Sequence, residues 1–501
     1  MEIAINPRLG TFMQTGLPKT IEEFSQFRTI AAVALRRDKR QKHIMHKRMN
    51  KRLSSTPTIK ISLEEAINQL SLSNLQSIKN FRKLLCQEKF DFLRLVQLKP
   101  DIVSYLAKGL ESKKTELAFE VSWCFANLAC GIPMLVNDVA GYTHVFHDIV
   151  VSGENKFLCE QACWVLGNLA ADSIAKRDGL RLKFDLLKAM CNLMMLKNSS
   201  LSAVSCWAIC NIIRSQQPDC RVIIESNGLG TLIELCQKTF SCQVTESLWL
   251  LSFITCTYNP NVFIQIYKPE LLNTLVTYLN HYDSKSILPV IRIIGNGFLY
   301  NQNFDSIFSS SHFSQYTLKL LNNNCSQIKK ETLWMLSNLF TLEYTRSFIN
   351  NIGTDFFKTL NALVTDDNQE IRTEAGIALY NLAEIFSSTY LLTILSYDGP
   401  GIINAFTFNI SNVPTWVNYG LYVNFDVDLL KCSLGFVILC MGFNELDKET
   451  EDVIFGEELK RTIEDCQYTM SKAMCQGNSE SYIMEQCNFL LKIMKSDFEF
   501  S

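Results

Sequence analysis

The chain repeats itself at a fixed interval, and that interval limits its possible folds more than any local pattern does. Aligning the sequence on itself brings together VSWCFANLACG (121–131), ACWVLGNLAAD (162–172), SCWAICNIIRS (205–215), SLWLLSFITC (247–256), VIRIIGNGFLY (290–300), TLWMLSNLFTL (332–342) and AGIALYNLAEI (375–385). The place held by Trp in the first copy advances from 123 to 164, 207, 249, 292, 334 and 377, in steps of 41 to 43 residues. A unit of this size cannot bury its own apolar face, so copies must stack and share one continuous core.

A period near 42 residues falls in the range of about 40 to 47 that marks helical repeats of the armadillo or HEAT kind. One period, read residue by residue, holds three helices. KFDLLKAMCNLMM (183–195) is apolar at helical spacing, the polar NSSLS interrupts it and offers an N-cap, and Ala203 to Arg214 resumes. QQPDCRVIIESNGLG then gives a turn, a short helix and glycines. Three helices per unit favour armadillo over the two-helix HEAT unit. Gly228 and Gly230 are read as a turn between helices, since no strand precedes them as a phosphate loop requires.

The aligned helix carries a row of residue types that a merely structural helix does not need. In ACWVLGNLAADS, Trp164, Asn168 and Asp172 follow at intervals of four, which places them on one face, with Gln161 just before. Asn costs a helix about 0.5 kcal/mol against Ala, yet it fills the same place in six of the seven copies, at 127, 168, 211, 296, 338 and 381. Stacking the copies turns each row into a ladder. A column of amides offers donors and acceptors to the backbone of an extended peptide, and indoles between them make slots for the stems of Lys or Arg. Cationic ends would be held by ring faces and by carboxylates such as Asp172 and Glu246. The expected ligand is extended and basic.

Charge and cysteine usage are consistent with such a body. Arg28 to Arg52 holds ten Lys/Arg against one acid, Asp38, and this +9 arm leaves −11 for the rest of a chain whose net charge is −2. The eighteen cysteines are spread through apolar helical runs without a CxxC pair, which predicts buried thiols in a reducing compartment rather than a disulfide framework. The most apolar run, CSLGFVILCMGF (432–443), is short of the roughly 20 residues that span a bilayer, and MEIAINPRLGTF lacks the pattern of a signal peptide. His144 and His147 have no neighbouring third ligand type, so no metal site is predicted. No nucleophile elbow, Walker loop or catalytic carboxylate pair occurs, so no enzyme activity, catalytic residue or cofactor is expected.

These motifs resemble the importin alpha family, adaptors that bind nuclear localisation signals, and the resemblance includes the family's own interruptions of the ladder. One central copy has an aromatic for Asn, here Phe253, and the next has Arg for Trp, here Arg292. The resemblance implies an all-α armadillo solenoid, a right-handed superhelix whose ladders line the concave side. It implies a major cargo groove at Trp123, Asn127, Gly131, Gln161, Trp164, Asn168, Asp172, Trp207, Asn211, Arg214, Glu246 and Trp249. Asp172 would select the key lysine. A minor groove would comprise Arg292, Asn296, Trp334, Asn338, Glu374 and Asn381. Three positions depart from the family's pattern: Ile377 for Trp, Val204 for Asn and Val136 for Thr.

The basic arm resembles the family's importin-beta-binding segment. Leu35, Arg36, Arg37, Lys39 and Arg40 match its first part, Lys47, Arg48 and Asn50 its second, where Met49 interrupts the basic triplet; Arg28, Lys51 and Arg52 complete the cationic set. Other readings of such an arm are a nucleic-acid-binding tail or a nuclear targeting signal acting in cis. The expected organisation is an arm over 1–58, armadillo repeats over 59–390, and degenerate repeats and capping helices over 391–501. In the last region Trp416 lacks the following Asn, ELDKETEDVIFGEE is expected to be an acidic loop, and helices follow from Leu459. The implied partners are importin beta and cargo proteins with basic signals, with no membrane and no direct nucleic acid, in cytoplasm and nucleus. The family's last repeat contacts an export receptor, but no residue here matches specifically enough to carry that contact over. The alternative is a diverged importin-alpha-like scaffold for other proteins. A catenin-type scaffold, with a basic groove for acidic ligands, is disfavoured by the −11 body.

Overall fold

The computed structural model describes residues 61–498 apart from 88–89, 113, 197–198, 215–219, 227, 239–240, 257–258, 282–283, 300–303, 309–310, 343, 354, 386, 412–426, 442–447 and 475–480. The arm residues Arg28, Leu35, Arg36, Arg37, Lys39, Arg40, Lys47, Arg48, Lys51 and Arg52 lie outside the described residues, as does Trp416. Every regular element among the described residues is an α-helix.

The helices that hold the aligned segments are α2 (Thr115–Leu128), α3 (Lys156–Asp172), α4 (Ser199–Ile213), α5 (Cys242–Ile254), α6 (Ser284–Leu299), α7 (Ser326–Leu339) and α8 (Gln369–Ile385). Helix α1 (Leu75–Leu85) precedes them and α9 (Val427–Met441) follows. Two shorter helices stand before each of α2 to α8, as Ile174–Arg181 and Phe184–Met194 do before α4, and Thr345–Ile352 and Asp355–Val364 before α8. This is the three-helix armadillo unit read from the sequence, and the fold is an all-α armadillo solenoid.

Local chemistry sets the ends of these helices. Asn155 caps α3, its Oδ1 accepting from the backbone N–H of Phe157 and Leu158 at 3.0 and 3.1 Å. Gly153 ends the helix before it with φ of +63°, a conformation that a side chain would strain. Ser241 caps α5 in the same way through Val244.

The described residues divide into two compact units, one ending at Leu271 and one beginning at Leu272. In the first, α1 to α5 lie side by side, each packed on the next; in the second, α6 to α9 do the same. A helix flanked on both sides in this way is covered around most of its circumference, so α2 is buried at every residue from Val121 to Leu128. Phe125 and Phe146 anchor the core of the first unit, and Phe298, Phe313, Phe340 and Phe356 that of the second.

Indoles of successive copies pack on small residues of the preceding helix. A Cβ on Gly167 would lie 2.4 Å from the Trp207 ring, and one on Gly295 would lie 2.4 Å from the Trp334 ring. At these two places the sequence needs glycine for close approach rather than for backbone freedom.

The helix Ser387–Ser411 runs through Pro400, with Gly399 leaving room for Thr450 against its backbone. Two sequence expectations are corrected. Part of the expected acidic loop is the helix Lys448–Ile454 that supplies this Thr450. Gly228 and Gly230, read as a turn, lie within the helix Gly228–Cys236. Helices Glu457–Met474 and Ser481–Phe498 follow as expected.

Two alanine substitutions separate close approach from helix propensity. Gly167→Ala is expected to lower stability by about 1–3 kcal/mol through overpacking against Trp207. Gly179→Ala, in a helix with nothing within 4 Å of the new Cβ, is expected to raise stability by about 0.4–1 kcal/mol. Urea denaturation followed by circular dichroism measures both.

Candidate functional site

The ladder residues fall in two sets, one in each unit. Helices α2 to α5 bring together Trp123, Asn127, Gln161, Trp164, Asn168, Asp172, Trp207, Asn211, Glu246 and Trp249, with Gly131 and Arg214 just past the ends of α2 and α4. Helices α6 to α8 bring together Arg292, Asn296, Trp334, Asn338, Glu374 and Asn381.

The amides turn out to hold one repeat to the next. Asn168 Nδ2 donates to the carbonyl of Ala126 at 3.0 Å, Asn338 to that of Gly295 at 3.0 Å, and Asn381 to that of Ser337 at 2.8 Å. Each acceptor is the residue just before the ladder amide of the preceding copy. Asn127 departs from the rule by donating to Cys86 Sγ at 3.1 Å. Burial pushes the Cys86 thiol up, which keeps this sulfur protonated. Asn211 is fully buried, and neither its amide nitrogen nor its oxygen is hydrogen-bonded.

The indoles are not equivalent. Trp123, Trp207 and Trp334 are buried, whereas Trp164 and Trp249 are half-buried. The rings of Trp164 and Trp207 touch, with centroids 4.8 Å apart, so no slot is open between this pair, contrary to the picture of evenly spaced walls. A second, unexpected ladder of small polar groups runs beside them: Cys163 Sγ meets Ser205 Oγ at 3.9 Å and Cys206 Sγ meets Ser247 Oγ at 3.7 Å. Burial pushes both thiols up to about 12, so they remain protonated near neutral pH. The sixteen cysteines whose state is described are free thiols.

Carboxylates follow the same period. Glu120, Glu246, Glu331 and Glu374 each stand three residues before a ladder position, and all four are buried. Glu331 receives Arg292 in a two-pronged pair, Nη2 to Oε1 at 2.6 Å and Nε to Oε2 at 3.2 Å. Glu120 receives Arg82 Nε at 2.6 Å, and the Arg82 guanidinium lies 4.0 Å from the centre of the Trp123 ring. Arg82 stands 41 residues before Trp123, at the Trp position of an earlier copy, so this pair repeats the Arg292–Glu331 design. Asp172 is half-buried and holds Lys176 Nζ at 2.9 Å. Burial, and then the charge of Arg177, lower the pKa of the Arg214 guanidinium.

No protein-family profile matches the chain. Importin subunit alpha-1b of Oryza sativa subsp. japonica is 26% identical over 274 residues, which cover 53% of this chain and 49% of the relative. Probable importin subunit alpha-A of Dictyostelium discoideum is 27% identical over 240 residues, 44% of this chain and 42% of the relative. The chain is thus similar to importin alpha subunits. It spans about half the length of the curated relatives it matches. The crystal structure of an engineered protein shares its fold, with a TM-score of 0.56 at 17% identity, covering 86% of this chain and 98% of that one.

The three departures from the importin alpha pattern are core residues: Val136, Val204 and Ile377 are all buried. His147 is not isolated, as Nδ1 meets Asp148 at 2.9 Å and Nε2 meets Asp185 at 3.0 Å. Among the described residues no group of three or more His, Cys, Asp or Glu is placed to hold a metal ion, and no helix is long and apolar enough to cross a membrane. Sequence reasoning missed Arg82 and Glu120, although extending the 42-residue register one copy earlier would have found both.

The buried Arg82–Glu120 pair gives a cycle that tests this geometry. Arg82→Met leaves Glu120 as an uncompensated buried charge and is expected to cost about 3–5 kcal/mol. The double variant Arg82→Met with Glu120→Leu is expected to recover most of that loss. Chemical denaturation of the two singles and the double gives the coupling directly.

Proposed function

We propose that the chain is a nuclear-import adaptor, which binds basic localisation signals along its ladder helices and importin beta through its basic arm. The observation that carries this reading is the row on α3. Trp164 and Asp172 are both half-buried on one helix face two turns apart, an indole for a lysine stem and a carboxylate for its ammonium. Glu246 and Trp249 repeat the pairing on α5. Glu374 and Trp334 supply the same chemistry in the second set. The relatives that bear the name importin subunit alpha support the same assignment.

Lys176 has a defined part in this function. Its ammonium already sits on Asp172 at 2.9 Å and must be displaced by a cargo lysine. The chain thus holds its selecting carboxylate in a closed state that a ligand opens by competition.

A second reading, a diverged armadillo scaffold for other protein partners, is favoured by the cations already seated on Glu120 and Glu331. One titration distinguishes the two. Fluorescence anisotropy of a labelled bipartite Lys/Arg peptide against the full chain is expected to show binding that falls at least about tenfold in Asp172→Lys. Lys176→Ala is expected to tighten it by up to about fivefold, the range of a partly exposed ion pair. Absence of binding by the wild-type chain would move the function to the scaffold reading. Capture of importin beta by the full chain, and its loss when Arg36, Arg37, Lys39 and Arg40 are all changed to Ala, tests the arm separately.

A further inference from the structure

We infer that the groove has an apolar subsite beside Trp123, built from Phe119 and Phe157, for an aromatic or large aliphatic residue adjoining the basic cluster of an extended peptide; this rests on the peptide-binding reading above. Phe157, on the first turn of α3, is 62% exposed, an unfavourable place for a phenyl ring unless a partner covers it. Its ring meets that of the half-buried Phe119 edge-on, with centroids 6.4 Å apart at 88°. Phe119 in turn meets Trp123 edge-on at 5.8 Å and 78°. The three rings form an unbroken apolar path from solvent to the ladder, in the geometry that aromatic pairs prefer, and the exposed Phe157 is its open end.

Charge at this end of the ladder argues against a cationic occupant. Glu120 is the carboxylate next to Trp123, and it is satisfied by Arg82, whose guanidinium also covers the Trp123 ring. A ligand ammonium arriving here would meet a cation already in place. The first turns of α2 and α3 carry Glu116 and Lys156, one of each sign and both exposed, so they add no net attraction. Asp172 and Glu246 serve the basic residues further along, and the Phe119–Phe157 rings serve the residue beside them.

Anisotropy with the full wild-type chain tests this with four labelled peptides: a Lys/Arg core flanked by Ser and Gly, the core preceded directly by Phe, the core followed directly by Phe, and the core with Lys in the better of those two places. One Phe peptide is expected to bind about fivefold to tenfold more tightly than the plain core, and the Lys peptide to show no such gain. The ratio between that Phe peptide and the core is expected to collapse to near one in Phe157→Ser, whose exposed position leaves folding intact. Equal binding of both Phe peptides and the core would overturn the subsite and leave the basic-peptide reading standing. So would a gain that persists in Phe157→Ser, or an equal gain from Lys. Failure of the core and of both Phe peptides to bind would overturn both.

Discussion

Gly295 shows what fixes one repeat against the next. The Trp334 ring fills the space where its side chain would be, and the Asn338 amide bonds its carbonyl at 3.0 Å. An indole and an amide one turn apart on α7 therefore both fasten to a single residue of α6. Advancing one helix by a residue would shift it about 1.5 Å and rotate it about 100°, which would break both contacts at once. The spacing from Trp to Asn is accordingly constant at four, while the steps of 41 to 43 residues vary only outside the ladder segments.

Substitution of Trp by Arg at the ladder position converts that joint into an electrostatic one. Arg82 and Arg292 each reach forward to the Glu three residues before the next Trp, and both pairs are buried. Such a pair contributes little net stability after desolvation, but its loss on one side leaves a charge without a partner, so the two residues are held together as a unit. In chemical terms the Arg performs within the chain what a ligand's cation would perform at an open position: a cation over an indole face with a carboxylate beside it. Arg82 stacks on Trp123 at 4.0 Å in this way.

The fold was legible because the period is a global property that no single substitution erases. Seven copies located the ladder helices, and N-cap residues and glycines between them located the shorter ones. What stayed hidden required knowledge of neighbours across the repeat. Nothing in WVLGN tells that Gly167 is there to admit Trp207 from a helix 40 residues on. The helix Lys448–Ile454 reads in the sequence as part of an acidic loop because its charges conceal that Thr450 packs against Gly399 of another helix. The ladder residues take equivalent places on successive helices, as the period implies, but their division of labour was not legible, since a row on one helix does not show which groups the next helix consumes.

That division bears on how far the ladder speaks for function. The amides of Asn168, Asn338 and Asn381 are engaged in joining repeats, so their recurrence has a structural cause that would persist without any ligand. The same holds for Trp207 and Trp334, which fill space over glycines. A recurring W-x-x-x-N therefore argues first for the solenoid. Asp172 differs from these in what it offers: it holds Lys176, four residues along the chain, and stands partly open to solvent. On the reading proposed above, a carboxylate so placed, on the same face as the half-buried Trp164 indole, is the group that would meet a basic ligand, and it weighs more for function than the more conspicuous ladder around it.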